Sequence, residues 1–239
     1  MRMKYLVFVL TMLLSLTASA GDMWSATDVQ LLHGHGYKFG SSSRSTMTIE
    51  HAQGKDGDDV YMFVDLTDRA DVGSEAYGEI YGQKSLWQPE HGLISNVSLS
   101  LGLNAGSEPE KDPFAAYLAG MSFDFRLPGF DFFQFDIHAY KDDSVHTTGW
   151  QFTPVWEMPF RLGGLNFRFR GFSDVLTPNT NSSHNWSILA QPQLLLDIGQ
   201  LAGKEKHVYA GVEYQYWHNK FGVSGVNEHL PNLMLMYAF

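Results

Sequence analysis

The chain contains no cysteine. No disulfide framework, thiol nucleophile or thiolate metal site is therefore open to it. Cationic residues are also few, Lys+Arg 16 against Asp+Glu 26 for a formal net charge of -10. That balance argues against a nucleic-acid or polyanion partner, which calls for a basic face. Beyond residue 20 there is no run of 18 or more apolar residues, so no transmembrane helix is expected. No linker, composition break or internal repeat marks off a second domain. Aromatic residues, by contrast, make up 14% of the chain, and there are 23 glycines. A closed β-barrel reconciles these facts, because strands that alternate apolar and polar residues insert into a membrane while looking only mildly hydrophobic.

The first residues point to export. Arg2 and Lys4 give a positive start, Tyr5 to Leu16 is an apolar stretch too short for a spanning helix, and Ala18-Ser19-Ala20 is a small-residue cleavage site. Residues 1–20 are read as a removed signal peptide and 21–239 as one domain. Without Arg2 and Lys4 the balance becomes 14 against 26, a net of -12.

The period of the remaining sequence is two. From Leu93 to Asn104 one parity reads Leu93, Ser95, Val97, Leu99, Leu101, Leu103, and the other Ile94, Asn96, Ser98, Ser100, Gly102, Asn104. Tyr117 to Arg126, Phe133 to Tyr140, Leu165 to Arg170 and Val208 to Trp217 alternate in the same way. Alternation alone also fits a soluble sandwich with one wet face. The export signal, strands of about ten residues and aromatics near strand ends favour a transmembrane antiparallel barrel. About 12 strands are predicted, near 28–39, 46–54, 58–66, 77–87, 93–104, 113–126, 130–141, 147–159, 164–174, 184–197, 206–218 and 230–239. An even number leaves both termini in the periplasm. Compact connections at Gly54 to Gly57, Gln88 to Gly92, Leu127 to Gly129 and Arg161 to Gly164 suit periplasmic turns. Asp68 to Ala76, Ala105 to Asp112, Val175 to Ser183 and Asn219 to Asn227 are longer, more polar and suit extracellular loops.

In the last strand Leu233, Leu235, Tyr237 and Phe239 share a parity, so an apolar face would meet outer-membrane lipid. A final strand ending in Phe resembles the signal read by the barrel-assembly machinery, which makes Phe239 the expected contact with that partner.

Inward parity holds Lys38, Glu50, Asp124, Arg126, Asp136, His138, Arg168, Arg170, Glu213 and Gln215, with Tyr140, Phe172, Tyr209 and Trp217 among them. Mixed charges and rings in a narrow channel would bind a small amphipathic solute. Equally, these charges would pair with one another and stiffen the wall, since small barrels fill with side chains. Both readings stay open at this point.

Trp24, then "VQLLHGHGYKFG" (Val29 to Gly40) and "TMTIEHA" (Thr46 to Ala52), resemble the beginning of the Tsx-like nucleoside-specific channels, a group that includes the OmpK proteins. "GFSD" (Gly171 to Asp174), "YWHN" (Tyr216 to Asn219) and "YAF" (Tyr237 to Phe239) are similar to that family's late strands and end. The resemblance implies a monomeric outer-membrane barrel that passes nucleosides and deoxynucleosides, with bacteriophage or colicin receptor roles in some members. It places Phe39 and Gly40 on the family's Phe-Gly pair, implicated in solute passage, and Trp217 with His218 on its Trp-His pair. Parity alone would turn Phe39 to lipid with Val29, Leu31 and Tyr37, so a kink among Gly34, Gly36 and Gly40 is expected. The candidate channel lining is thus Phe39, Tyr140 and Trp217 for stacking, with Arg168, Arg170 and Glu213 for polar contact and Gly40 beside the first ring. The loops here are shorter than in the better-known members.

The rival readings are a non-conducting structural or receptor barrel and, in a different class, an outer-membrane lipase or deacylase. The latter would draw on His138 with Ser144, or His184 with Ser182 and Ser183, but neither forms a nucleophile, base and orienting-acid set. The expectation is a protein without chemistry and without a cofactor. His33 and His35 lie two apart on one strand face with no identifiable third metal ligand. Lys55 to Asp59 lacks the spaced acids of a calcium loop and reads as a solvated turn.

Overall fold

A computed structural model describes residues 23–69, 73–108 and 113–239; the expected signal peptide lies outside them. Among the described residues there are thirteen strands: β1 (Trp24–His35), β2 (Ser43–Lys55), β3 (Asp58–Arg69), β4 (Gly73–Trp87), β5 (Ile94–Ser107), β6 (Phe114–Phe125), β7 (Phe132–Asp142), β8 (Gly149–Leu162), β9 (Leu165–Leu176), β10 (Ser187–Ala190), β11 (Gln193–Asp197), β12 (Val208–His218) and β13 (Glu228–Ala238). Short 3-10 turns occupy Pro178–Thr180, Ile198–Ala202 and Lys220–Gly222.

β10 and β11 are two halves of one stave. Both pair with β9 on one side and β12 on the other, and they part only at Gln191 and Pro192. Proline has no N–H to give the ladder, so the stave breaks there. Gly171 on β9 sits against the break at φ +148°, where a Cβ would come within 2.5 Å of the Gln191 carbonyl. Counted this way the sheet has the twelve staves that alternation predicts. Every pairing is antiparallel, and β13 returns to β1 with Leu31 opposite Leu235. Closure leaves no open sheet edge, which is the condition for a sheet to cross lipid.

Two corrections concern strand ends, and one connection carries structure of its own. The first strand stops at His35, not residue 39, because Gly36 at φ +107° and Gly40 at φ +80° turn the chain where a kink was expected. The expected loops over 68–76 and 105–112 begin and end in strand, since β3 runs to Arg69, β4 begins at Gly73 and β5 runs to Ser107; residues 70–72 and 109–112 lie outside the described residues. The connection at residues 198–207, which alternation left unremarked, is a capped 3-10 turn, with the Asp197 carboxylate accepting from the Gln200 and Lys206 backbone N–H groups.

The short connections gather at the end that carries both Trp24 and Ala238. The tightest, between β2 and β3, is a two-residue hairpin at Asp56 (φ 55°) and Gly57 (φ 83°), a left-handed pair that matches strand twist. The loops of residues 36–42, 177–186 and 219–227 gather at the other end.

The outer wall is apolar throughout its middle. Leu31, Leu99, Leu101, Leu194, Leu233 and Leu235 are all exposed, Leu233 at 69%. Trp24, Trp87, Phe132 and Tyr237 ring the short-turn end, while Tyr117, Trp150 and Trp186 ring the loop end. A staves' length of 12 residues is about 40 Å and, tilted by about 45°, spans about 28 Å, close to the apolar band of a membrane barrel. A belt this continuous is untenable in water and correct in lipid. The chain is therefore a transmembrane barrel, all-β and antiparallel.

The core lies inside the barrel as two patches. Leu32, Leu195, Tyr209, Met234 and Met236 form one, and Tyr81, Ala116, Leu118 and Tyr140 the other. Between and around them the inner face is polar.

Candidate functional site: the lumen and its loop-side mouth

Register fixes which residues enter the lumen. Leu31 opposite Met47 faces lipid, so Asp28, Gln30, Thr48 and Glu50 face inward. The same logic places Asp124, Asp136, His138, Tyr140, Arg168, Arg170, Phe172, Tyr209, Glu213, Gln215 and Trp217 inside, as their parity predicts. Two candidates differ. Lys38 lies exposed in the loop after β1, where its backbone N–H donates to Glu228 (2.6 Å). Arg126 lies beyond β6, donating to the carbonyls of Pro89 and Ile94.

Arg170 spans the barrel. β9 and β1 are separated around the wall by β11, β12 and β13, yet the guanidinium reaches Asp28 (3.1 Å) and Glu50 (2.7 Å). From this chord a line of hydrogen bonds climbs one wall. Gln30 donates to Asp28 (2.8 Å), Gln193 donates to Gln30 (3.2 Å) and to Glu213 (2.9 Å), and Asn232 donates to Glu213 (3.1 Å). Gln191 bridges Glu213 and Gln215, Gln215 donates to Glu228, and Glu228 pairs with Lys220 (2.8 Å). Arg168 is held separately by Glu157 (3.0 Å) and lies over the Tyr209 ring. The charges thus pair across the lumen, as the wall-filling reading requires, and form a constriction at the level of Arg170.

The mouth is built from loops. Phe39, at φ 62°, stacks on Phe221 at 6.2 Å, and Phe221 meets Trp217 edge-on at 4.7 Å. This corrects the parity of the first strand: Phe39 faces neither lipid nor strand but a ring of the β12–β13 loop. Tyr37 likewise turns inward, donating to Asn232 (2.6 Å), and burial beside Glu213 pushes its phenol up to about 12. Lys220 lies beneath the rings, 4.4 Å from the Trp217 centroid. Burial lowers its ammonium's pKa, against the opposing pull of Glu228. Gly40 adjoins Phe39 at the rim. Non-glycine residues held at positive φ cost free energy and mark segments fixed by their surroundings; Phe39, Asn219 and Phe221 are three of them at one mouth.

Of the candidate lining, Phe39 and Trp217 meet the same Phe221 ring at the mouth, while Arg170 and Glu213 belong to the hydrogen-bonded wall. Arg168 and Tyr140 lie inside but apart from both. Parity reasoning missed Asp28, Gln30, Asn232 and Glu228, although the alternation of β1 and β13 carries them. It also missed Lys220, which sits in a loop where no period operates.

His138 and Ser144 take separate partners. Ser144 donates to Asp142 (2.6 Å), whereas His138 Nε2 lies 2.8 Å from Ser100 Oγ, a contact 38 residues apart that local spacing could not reveal. His138 Nδ1 has no partner among the described residues. His33 and His35 lie on the outward face of β1, with His33 Nδ1 3.0 Å from Ser45. No group of three metal-ligating side chains occurs among the described residues. A recess of about 720 Å³ opens at the short-turn rim, where Gly82 leaves the wall bare between Val60 and Leu101. It lies away from both the chord and the mouth.

Comparison with known proteins places this geometry. A family model described as a domain of unknown function, DUF5020, matches residues 26–239. The chain belongs to the DUF5020 family. No curated protein matches it. Among solved structures it is similar to KdgM porin, at 9% identity and a TM-score of 0.53, over 90% of this chain and 99% of that one. It is equally similar to KdgM porin in complex with disordered oligogalacturonate, at 8% identity and a TM-score of 0.53, over 89% and 99%. At such identity the likeness shows a shared fold, a porin-type barrel. The DUF5020 match carries no activity with it, and the Tsx-like motifs of the sequence bear on function only as a proposal.

Proposed function

We propose that this DUF5020 protein is an outer-membrane channel through which small solutes diffuse passively, without chemistry or energy coupling, and that nucleosides are its solute class. The observation that carries the reading is a closed, lipid-belted barrel whose inner face is polar and partly open to solvent: Asp65, Glu79, Phe172 and Asp174 are half-buried although they point inward. The ring cluster of Phe39, Trp217 and Phe221 at the mouth offers flat faces on which a base stacks, and base-on-ring stacking is worth about 1–3 kcal/mol. The Tsx-like motifs support the nucleoside class, and KdgM porin, a barrel of this fold, is found in complex with a small solute, disordered oligogalacturonate. Outer-membrane lipid, the assembly machinery at Phe239 and a phage at the loops are the partners this reading brings with it.

A second reading rests on one specific observation. The Arg170 chord closes part of the lumen, so a barrel that serves as a receptor without conducting is the alternative.

Conductance of the refolded protein in a planar bilayer, titrated with adenosine, thymidine and glucose, decides between them. Openings blocked by nucleosides at far lower concentration than by glucose are expected, with block weakened in Phe39→Ala and Trp217→Ala. Equal block by all three solutes ends the nucleoside assignment, and silent membranes with native circular dichroism leave the receptor reading.

A further inference from the structure

The lumen is electrically lopsided. On the wall formed by β12, β13 and β1, buried amides and methionines fill the space, Glu228 is answered by Lys220 and Asp28 by Arg170, and Glu213 is the exception, held by the Gln191, Gln193 and Asn232 amides alone. The wall from β3 to β9 differs. Asp65, Glu79, Asp136 and Asp174 point inward there, and none has a cationic partner among the described residues.

Neutral donors hold these carboxylates in place. Thr48 donates to Asp65 (2.6 Å), Thr153 and Gln151 to Asp174 (2.6 and 3.0 Å), Gln134 to Asp136 (2.9 Å), and Tyr81 and Asn104 to Glu79 (2.9 and 3.0 Å). Such bonds orient a carboxylate and leave its charge uncancelled. Rings are interleaved with the acids: in the β3–β4 register Phe63 stands opposite Glu79, and Asp65 opposite Tyr77. The Phe63 and Tyr77 rings are 5.9 Å apart.

An independent observation shows the same wall to be incomplete. The Gln83 Oε1 and His138 Nδ1 atoms are buried without a hydrogen-bond partner among the described residues. Gln83 follows Tyr81 on the inward face of β4, and His138 packs on the Tyr81 ring. Buried polar groups are normally satisfied, so these atoms have hydrogen-bonding capacity left for water or a solute group in the lumen.

We propose that this wall is a cation path: the barrel accepts solutes bearing a protonated amine beside a flat or apolar body, and turns away anions. The inference rests on the channel reading but not on its nucleoside solute class, because nucleosides are uncharged at neutral pH. Carboxylates in a confined lumen focus a negative potential, and rings within about 6 Å of an ammonium add to its attraction. An oligogalacturonate, the solute named for KdgM porin, is a polyanion of the wrong sign for this wall.

Reversal potential across a KCl gradient in a planar bilayer tests the proposal. Wild type should be cation-selective, and the double substitution Asp65→Asn with Asp174→Asn, which keeps the neighbouring donors engaged, should reduce that reversal potential by roughly half or more. Conducting barrels that are non-selective, or selective for chloride, overturn the charge filter while leaving the channel intact. If no current passes, the channel reading fails by itself, and the wall is then tested by calorimetric titration of spermidine into the micelle-bound protein. Binding lost in the double variant sustains the site; binding that is absent, or equal in both proteins, refutes it.

Discussion

Arg170 shows how one side chain can decide what a barrel is. Its guanidinium crosses the lumen to two carboxylates, and all three groups are largely shielded, with Arg170 at 12% side-chain exposure, Asp28 at 10% and Glu50 at 21%. Removing one partner of a buried ion pair costs about 3–5 kcal/mol, because the remaining charge is left uncompensated. Arg170→Ala should therefore lower the thermal unfolding midpoint seen by circular dichroism, and at the same time raise single-channel conductance by removing the chord. A stable variant with unchanged conductance would mean that the constriction lies elsewhere. Parity found Arg170 because strand β9 alternates cleanly, Phe167 and Phe169 outward, Arg168 and Arg170 inward. It could not find the partners, because no local period says that β9 faces β1 across a lumen.

At the scale of elements, the sequence is most readable where the two faces differ most in polarity. β5 alternates leucine with serine and asparagine, and its predicted span of 93–104 sits within three residues of Ile94–Ser107. β3 and β4 are harder to bound because Asp68 and Glu75 put charge near strand ends on opposite faces, so strand looked like loop. The first strand fails for another reason: Tyr37 and Phe39 keep the right parity after the strand has ended, and only the positive φ of Gly36 and Phe39 shows that the chain has turned. The break between β10 and β11 yields a sharper expectation. At Gly171 the positive φ and the 2.5 Å approach of the Gln191 carbonyl both come from backbone, which cannot move aside as a flexible side chain would. Gly171→Ala should cost about 1–3 kcal/mol, read as reduced yield of folded, heat-modifiable barrel on cold gels. Gly82→Ala, with nothing within 4 Å of its Cβ, should fold normally and serves as the control.

For the molecule as a whole, the two faces of the closing strand do opposite work. Leu233 and Leu235 on β13 are exposed to lipid, whereas Asn232, Met234 and Met236 are buried in the lumen wall. A charge placed on the lipid face near the midplane costs about 2–4 kcal/mol, and far less near the interfaces. Leu235 pairs with Leu31 on β1 and Ala210 on β12, so it lies at the seam where the barrel closes. Leu235→Arg should depress insertion into lipid vesicles, measured by protease protection, while the same substitution at exposed Leu201 in the β11–β12 turn, outside the strands, should not. In detergent, where the apolar belt is a looser medium, the two variants should differ less. If Leu235→Arg inserts as well as wild type, the outward belt is not in contact with hydrocarbon, and the membrane assignment that underlies the channel, its charge filter and its mouth falls with it.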